Sequence, residues 1–120
     1  MQRIEHFLAT AEKNTQRVLF VVLDSCFGNV DAQASWIADR RYVNMSWIPN
    51  PGPAMVANAS TWGAVDAYVK QLVGTHADDK RVLGWDVMNE PAFNTKGIDA
   101  FLEHFIRLVN SIDKTHFTTV

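Results

Sequence analysis

At 120 residues the chain is long enough for one domain and too short for two. Hydrophobic residues make up 48% and charged residues 20%, an ordinary globular balance that argues against disorder. A net charge of -2, with both signs mixed along the chain, gives no support to a nucleic-acid surface or a polybasic membrane patch. The single Cys26 excludes an intrachain disulfide and a cysteine-rich metal site. No stretch approaches the roughly 18 apolar residues of a membrane span. The start, Met1 to His6, reads as the beginning of an amphipathic helix rather than a signal core, so the compartment stays unassigned.

Ile4, Phe7, Leu8 and Ala11 fall at i, i+3, i+4 and i+7, the spacing of one helix face, and Asn14-Thr15 closes that helix. Val18 to Leu23 follows as a β-rich run with almost no polar break. A strand apolar on both faces belongs in a parallel sheet covered by helices. It gives way abruptly to Asp24-Ser25-Cys26-Phe27-Gly28. From Gly28 to about Ser60 no period is sustained, and a loop of this length is expected to be functional, with short helical turns inside it.

A second helix is predicted from about Thr61 to Val73, with Trp62, Val65, Val69, Leu72 and Val73 on one side and Gly74 as its C-terminal cap. The second strand is Val82 to Met88, running into Asn89-Glu90-Pro91. Ile98, Phe101, Leu102, Phe105, Leu108, Val109 and Ile112 give the last helix the clearest period in the chain. Phe117 to Val120 resembles the opening of a third strand. Strands alternating with helices imply right-handed βαβ units and a parallel sheet, hence an α/β fold. Two full strands and a stub are too few for a closed barrel, and a chain that opens on a helix and stops within a strand reads as a single-domain fragment spanning 1–120.

Ligands of parallel α/β folds gather at the carboxyl ends of the strands. That selects Asp24 with the loop behind it, and Asn89-Glu90 with the loop after Pro91. Side-chain alternation places Gly84, Asp86, Met88 and Glu90 on one face, with Glu90 at its rim. Asp86 lies one layer deeper, where an unpaired carboxylate is unfavourable, so an ion pair with a neighbouring strand is expected, its partner lying outside this chain. A carboxyl at an apolar rim beside an amide suits acid/base work on sugars. Trp36, Tyr42, Trp47 and Phe93 are loop aromatics placed to stack on a pyranose, with simple packing as the alternative. Trp85 and Trp62 fit helix-facing packing. His6, His76, His104 and His116 lack metal-ligand spacing, so neither a metal nor another cofactor is expected. Cys26 reads as a small buried thiol.

The run Val82-Leu83-Gly84-Trp85-Asp86-Val87-Met88-Asn89-Glu90-Pro91 resembles the fourth strand of the TIM-barrel glycoside hydrolases of clan A, and the Asp-Ser-Cys-Phe and Ser-Trp-Ile-Pro-Asn-Pro-Gly segments are similar to cellulase-like members of family five. The resemblance implies a partial (β/α)8 barrel. Val18 to Asp24 would be its third strand, Thr61 to Val73 its third helix, Ile98 to Ile112 its fourth, and Thr118 to Val120 the opening of the fifth strand. It implies that Glu90 is the general acid/base of a retaining β-glycoside hydrolase and that Asn89 binds the sugar 2-hydroxyl. Asp24, Trp47 and Trp36 are the remaining substrate-binding candidates. The clan's nucleophile ends the seventh strand, so no residue here takes that role, and the isolated chain is expected to be inactive.

The expected partner is a carbohydrate, with no nucleic acid and no membrane, and exposed sheet edges favour a homo-oligomer. Two other readings stand beside this one. One is a non-catalytic carbohydrate-binding or self-assembling module derived from a barrel. The other is an unrelated open α/β domain, whose nucleotide-binding version lacks a glycine-rich phosphate loop.

Overall fold

The computed structural model of the chain describes residues 2–25 and 49–120. Helix α1 spans Gln2–Lys13 and buries Leu8 and Ala11, with Ile4 packed beside them. Phe7 departs from the expected stripe and is 59% exposed. Ile4, Leu8 and Ala11 already form the i, i+4, i+7 line that meets the core, which leaves Phe7 on its margin. The helix ends where Thr15 takes a left-handed φ of 58°, while the Asn14 and Gln16 N–H groups both donate to the Ala11 carbonyl at 3.0 Å.

Strand β1 (Val18–Asp24), β2 (Val82–Asn89) and β3 (Phe117–Thr119) form one parallel sheet in the order β1-β2-β3. Between β1 and β2 lie the short α2 (Pro53–Val56), a 3-10 turn (Ala59–Thr61) and α3 (Gly63–His76), and α4 (Ile98–Ile112) joins β2 to β3. The turns expected within the long loop are thus present in its described part. The α3 boundaries differ from expectation. Asn58 accepts the Ser60 N–H at 3.2 Å and the Ser60 hydroxyl at 2.8 Å, which winds a tight turn first and delays the α-helix to Gly63. Gly74 is not the cap: the helix runs through it to His76. A Cβ on Gly74 would lie 3.8 Å from the Ile112 side chain, so this position is where α4 packs against α3.

The helices share one hydrophobic core with the sheet. Phe101, Phe105 and Val109 of α4 and Val69 and Val73 of α3 are fully buried with Trp85 and Val87 of β2. Trp62 meets Phe101 edge-on at 5.3 Å and donates its indole N–H to the Met55 carbonyl at 3.0 Å, which anchors α2 to the helical layer. The opposite face is open over its amino-terminal half, where Leu19, Val21 and Phe117 are 41%, 50% and 51% exposed. Among the described residues, the expected cover on this face of β1 is lacking at Leu19 and Val21, whereas Leu23 on the same face is 3% exposed. Gly84 lies on the open face, where a Cβ would come within 2.8 Å of Phe117, so only glycine lets β3 approach β2 in this register.

Two polar clusters fix the strands. At the amino end, Arg81 makes a two-pronged contact with Glu5 of α1 at 2.7 and 2.9 Å and with Asp79 at 2.8 and 2.7 Å. The guanidinium holds both carboxyls below their usual range. In the core, the Trp85 indole donates to Asp113 Oδ2 at 2.7 Å, and the His116 ring meets the same oxygen at 2.7 Å. The Thr115 and His116 N–H groups donate to Asp113 Oδ1 at 2.8 and 3.0 Å. Burial alone would raise the Asp113 pKa. The four donors more than offset it and bring it down to about 2 from 3.8.

Because the folded pKa is depressed, the stabilisation is present above about pH 4 and is lost as pH falls towards 2. It is worth on the order of 2 kcal/mol. Urea unfolding as a function of pH is expected to show that loss in the native chain and a flatter profile in Asp113→Asn. Asp113→Ala, which strands the buried indole donor, is expected to lose about 2–3 kcal/mol at pH 7.

Candidate active site

The carboxyl ends of β1 and β2 lie side by side, with Asp24 in register with Asn89. The Ser25 N–H donates to the Asn89 carbonyl at 3.0 Å, and the Asn89 side-chain amide donates to Asp24 Oδ1 at 3.4 Å. Ser25 is buried, and its hydroxyl accepts the Ala92 N–H at 3.2 Å. On its other edge Asp24 exchanges two main-chain bonds with Asn50, of 3.0 and 2.7 Å. The turn from Asn89 to Ala92 is therefore tied to β1 at both of its ends.

Glu90 is held within that turn. Its φ is 46°, in the left-handed region that costs a side-chain-bearing residue about 1–2 kcal/mol. Glu90 is exposed, and it does not continue the alternation of the strand. Gly84, Asp86 and Met88 do share a face, being in register with Leu19, Val21 and Leu23. The alternation stops because β2 ends at Asn89 and the backbone leaves the extended region at the next residue. Strain of this kind persists only where the surroundings over-determine it, and it concentrates at functional sites.

Asp86 lies deeper and is half-buried, and burial raises its pKa against a hydrogen bond from the Met88 main chain, with the Asp24 charge adding to the rise. Its Oδ1 is sealed from solvent and has no hydrogen-bond partner. Trp85 points to the helical side, stacked on Phe20 with ring centres 5.4 Å apart. Phe93, in the loop after Pro91, is 74% exposed, as a stacking platform requires. A cavity of about 330 Å³ lies beside the end of β1, lined by Leu23, Asn50, Pro51, Met55, Val65 and Tyr68 among others.

The structure thus brings Asp24, Asn89 and Glu90 together. Trp36, Trp47, Tyr42 and Cys26 lie outside the described residues. Sequence reasoning missed Ser25, which locks the turn, and Tyr68, an exposed aromatic off the apolar stripe of α3. The small polar residue directly after a strand was the one available signal for Ser25. Among the described residues no cluster of three or more His, Cys, Asp or Glu side chains is arranged to hold a metal, and no helix is long and apolar enough to cross a membrane.

No family model matches the chain. Among curated proteins it is similar to a probable mannan endo-1,4-beta-mannosidase A-2 of Aspergillus terreus, with 32% identity over 59 residues. That match covers 47% of this chain and 15% of the fungal protein, so the chain spans a small part of that relative's length. The similarity to that mannosidase is weak and partial.

The backbone at Glu90 is testable without any substrate. Glu90→Gly is expected to stabilise the chain by about 0.5 kcal/mol, the relief of left-handed strain less the greater freedom of glycine in the unfolded chain. Glu90→Ala keeps the strain and is expected to gain nothing. Equal midpoints for the two variants in urea would show that the turn does not impose the left-handed conformation.

Proposed function

We propose that this chain is part of a (β/α)-barrel glycoside hydrolase acting on β-linked polysaccharide, with Glu90 as general acid/base. The observation that carries the reading is an exposed glutamate, held in strained backbone at the carboxyl end of the central parallel strand and next to an orientated asparagine. The barrel part rests on the neighbour order of three consecutive parallel strands joined through helices.

In this mechanism Glu90 protonates the glycosidic oxygen as the bond breaks, then takes a proton from the water that resolves the glycosyl-enzyme. Asn89 binds the sugar 2-hydroxyl. Its amide N–H is turned towards Asp24, which leaves the carboxamide oxygen to accept from the hydroxyl and makes Asp24 a positioning residue. Phe93, with Trp36 and Trp47 as further candidates, supplies apolar surface for the sugar ring. The fungal relative's name makes β-1,4-mannan the first substrate to try. A retaining mechanism needs a second carboxyl about 5–5.5 Å away, and this chain has no residue assigned to it. The 120-residue chain alone is accordingly expected to be inert.

In a complete enzyme containing this segment, Glu90→Gln is expected to lower turnover of unactivated β-1,4-mannan by about 10²–10⁴-fold with little change in KM. Undiminished turnover would remove Glu90 from the mechanism.

A further inference from the structure

Asn58-Ala59-Ser60 matches the acceptor pattern for N-linked oligosaccharide, an asparagine followed two residues on by serine with no proline between. The triplet lies in the connection between α2 and α3, where all five residues from Ala57 to Thr61 are exposed. Gly63, at the start of α3, has open space where a side chain would project, so the surface beside the turn is clear as well. A second match, Asn44-Met45-Ser46, lies outside the described residues.

The geometry at Asn58 gives its two side-chain atoms different work. Oδ1 accepts the Ser60 N–H at 3.2 Å and the Ser60 hydroxyl at 2.8 Å. The Asn58 carbonyl accepts the Thr61 N–H at 3.0 Å and the Thr61 hydroxyl at 2.7 Å, so the backbone is fixed too. Nδ2, the atom that an N-linked glycan takes, makes no hydrogen bond to any described residue. Substitution at Nδ2 leaves the amide oxygen in place. Both turn bonds therefore survive the modification, whereas a longer or shorter side chain breaks them.

We propose that Asn58 is an acceptor site for an N-linked oligosaccharide, carried without disturbance of the turn it caps. The donor class is an oligosaccharide joined through a diphosphate to a membrane lipid, as eukaryotic secretory compartments supply. The bond from Nδ2 to the anomeric carbon forms as that carbon's bond to the diphosphate oxygen breaks. The lipid diphosphate leaves with the electron pair, and Nδ2 loses one proton. Nothing in this inference depends on Glu90 or on a glycosidase activity.

The test expresses the 120-residue chain in yeast behind a cleavable secretion signal and scores secreted and cell-associated material alike. Peptide-N-glycosidase in heavy-oxygen water marks each asparagine that carried a glycan, and fragment spectra separate Asn58 from Asn44. The mark is expected at Asn58, retained in Ser60→Thr and lost in Ser60→Ala, which keeps the asparagine. The glycosylated chain is expected to unfold at a urea midpoint no lower than that of the unglycosylated chain made in bacteria. Asn58→Gln, also made in bacteria, is expected to unfold at a lower one. An unmarked Asn58 in both fractions would overturn the proposal, as would a mark at Asn58 that survives Ser60→Ala. A lowered midpoint for the glycosylated chain would overturn the claim that the turn carries the sugar undisturbed.

Discussion

A buried carboxylate is tolerable in a protein core only when donors surround it, and the arrangement of this chain turns on one that meets the condition. Asp113, 3% exposed, receives the Trp85 indole, the His116 ring and two main-chain N–H groups. Those four contacts join the middle of β2 to the turn that launches β3. With Phe20 of β1 stacked on the same indole, one aromatic ring is held by all three strand regions. β2 cannot slip along its neighbours without breaking that set, and slippage by one residue would also exchange its two faces.

Once β2 is fixed, the placement of its two ends follows. At the amino end Arg81 pairs with both Glu5 and Asp79, which ties α1 to the turn before β2. The carboxyl end is treated differently. Ser25 and Asp24 hold the turn from outside, and the backbone inside it is pushed into a left-handed conformation at Glu90. Ion pairing at one end and retained strain at the other is the division between support and chemistry that parallel α/β folds commonly show. On it rests the proposal that Glu90 acts on a glycosidic bond.

Asp86 marks the contrast with Asp113. Both are aspartates close to the core, yet one has its donors and the other has an oxygen with none. The difference lies in the covering layer. The face that Trp85 enters is closed by α3 and α4, whereas the face that Asp86 shares with Val21 and Thr119 is open. The sequence reading expected an ion pair for Asp86 because a deep carboxylate needs one. The described residues supply no such partner, and the need is correspondingly unmet.

Where local physics decides, the sequence was legible. The period of Ile98 to Ile112 determined α4 to the residue, and the apolar runs determined β1 and β2 to within one residue, since hydrophobic spacing alone specifies those elements. The Asn-Glu-Pro triplet located the carboxyl end of β2 and so the candidate site. Contacts between distant segments had no local signal. Gly74 looked like a stop, but the helix continues through it and the position faces Ile112 of α4. Phe7 fitted a helical stripe that the core did not extend to meet. Ser25 and Asp113 depend on partners far away along the chain, Ala92 for the one and Trp85 for the other. By itself, then, the sequence determined which segments are helix or strand and that the strands run parallel. Only the tertiary structure decided which face is covered, which aspartate is satisfied, and that Glu90 stands in strained, exposed backbone. Each of those outcomes depends on what another segment places within a few ångströms, and spacing along one segment does not encode that.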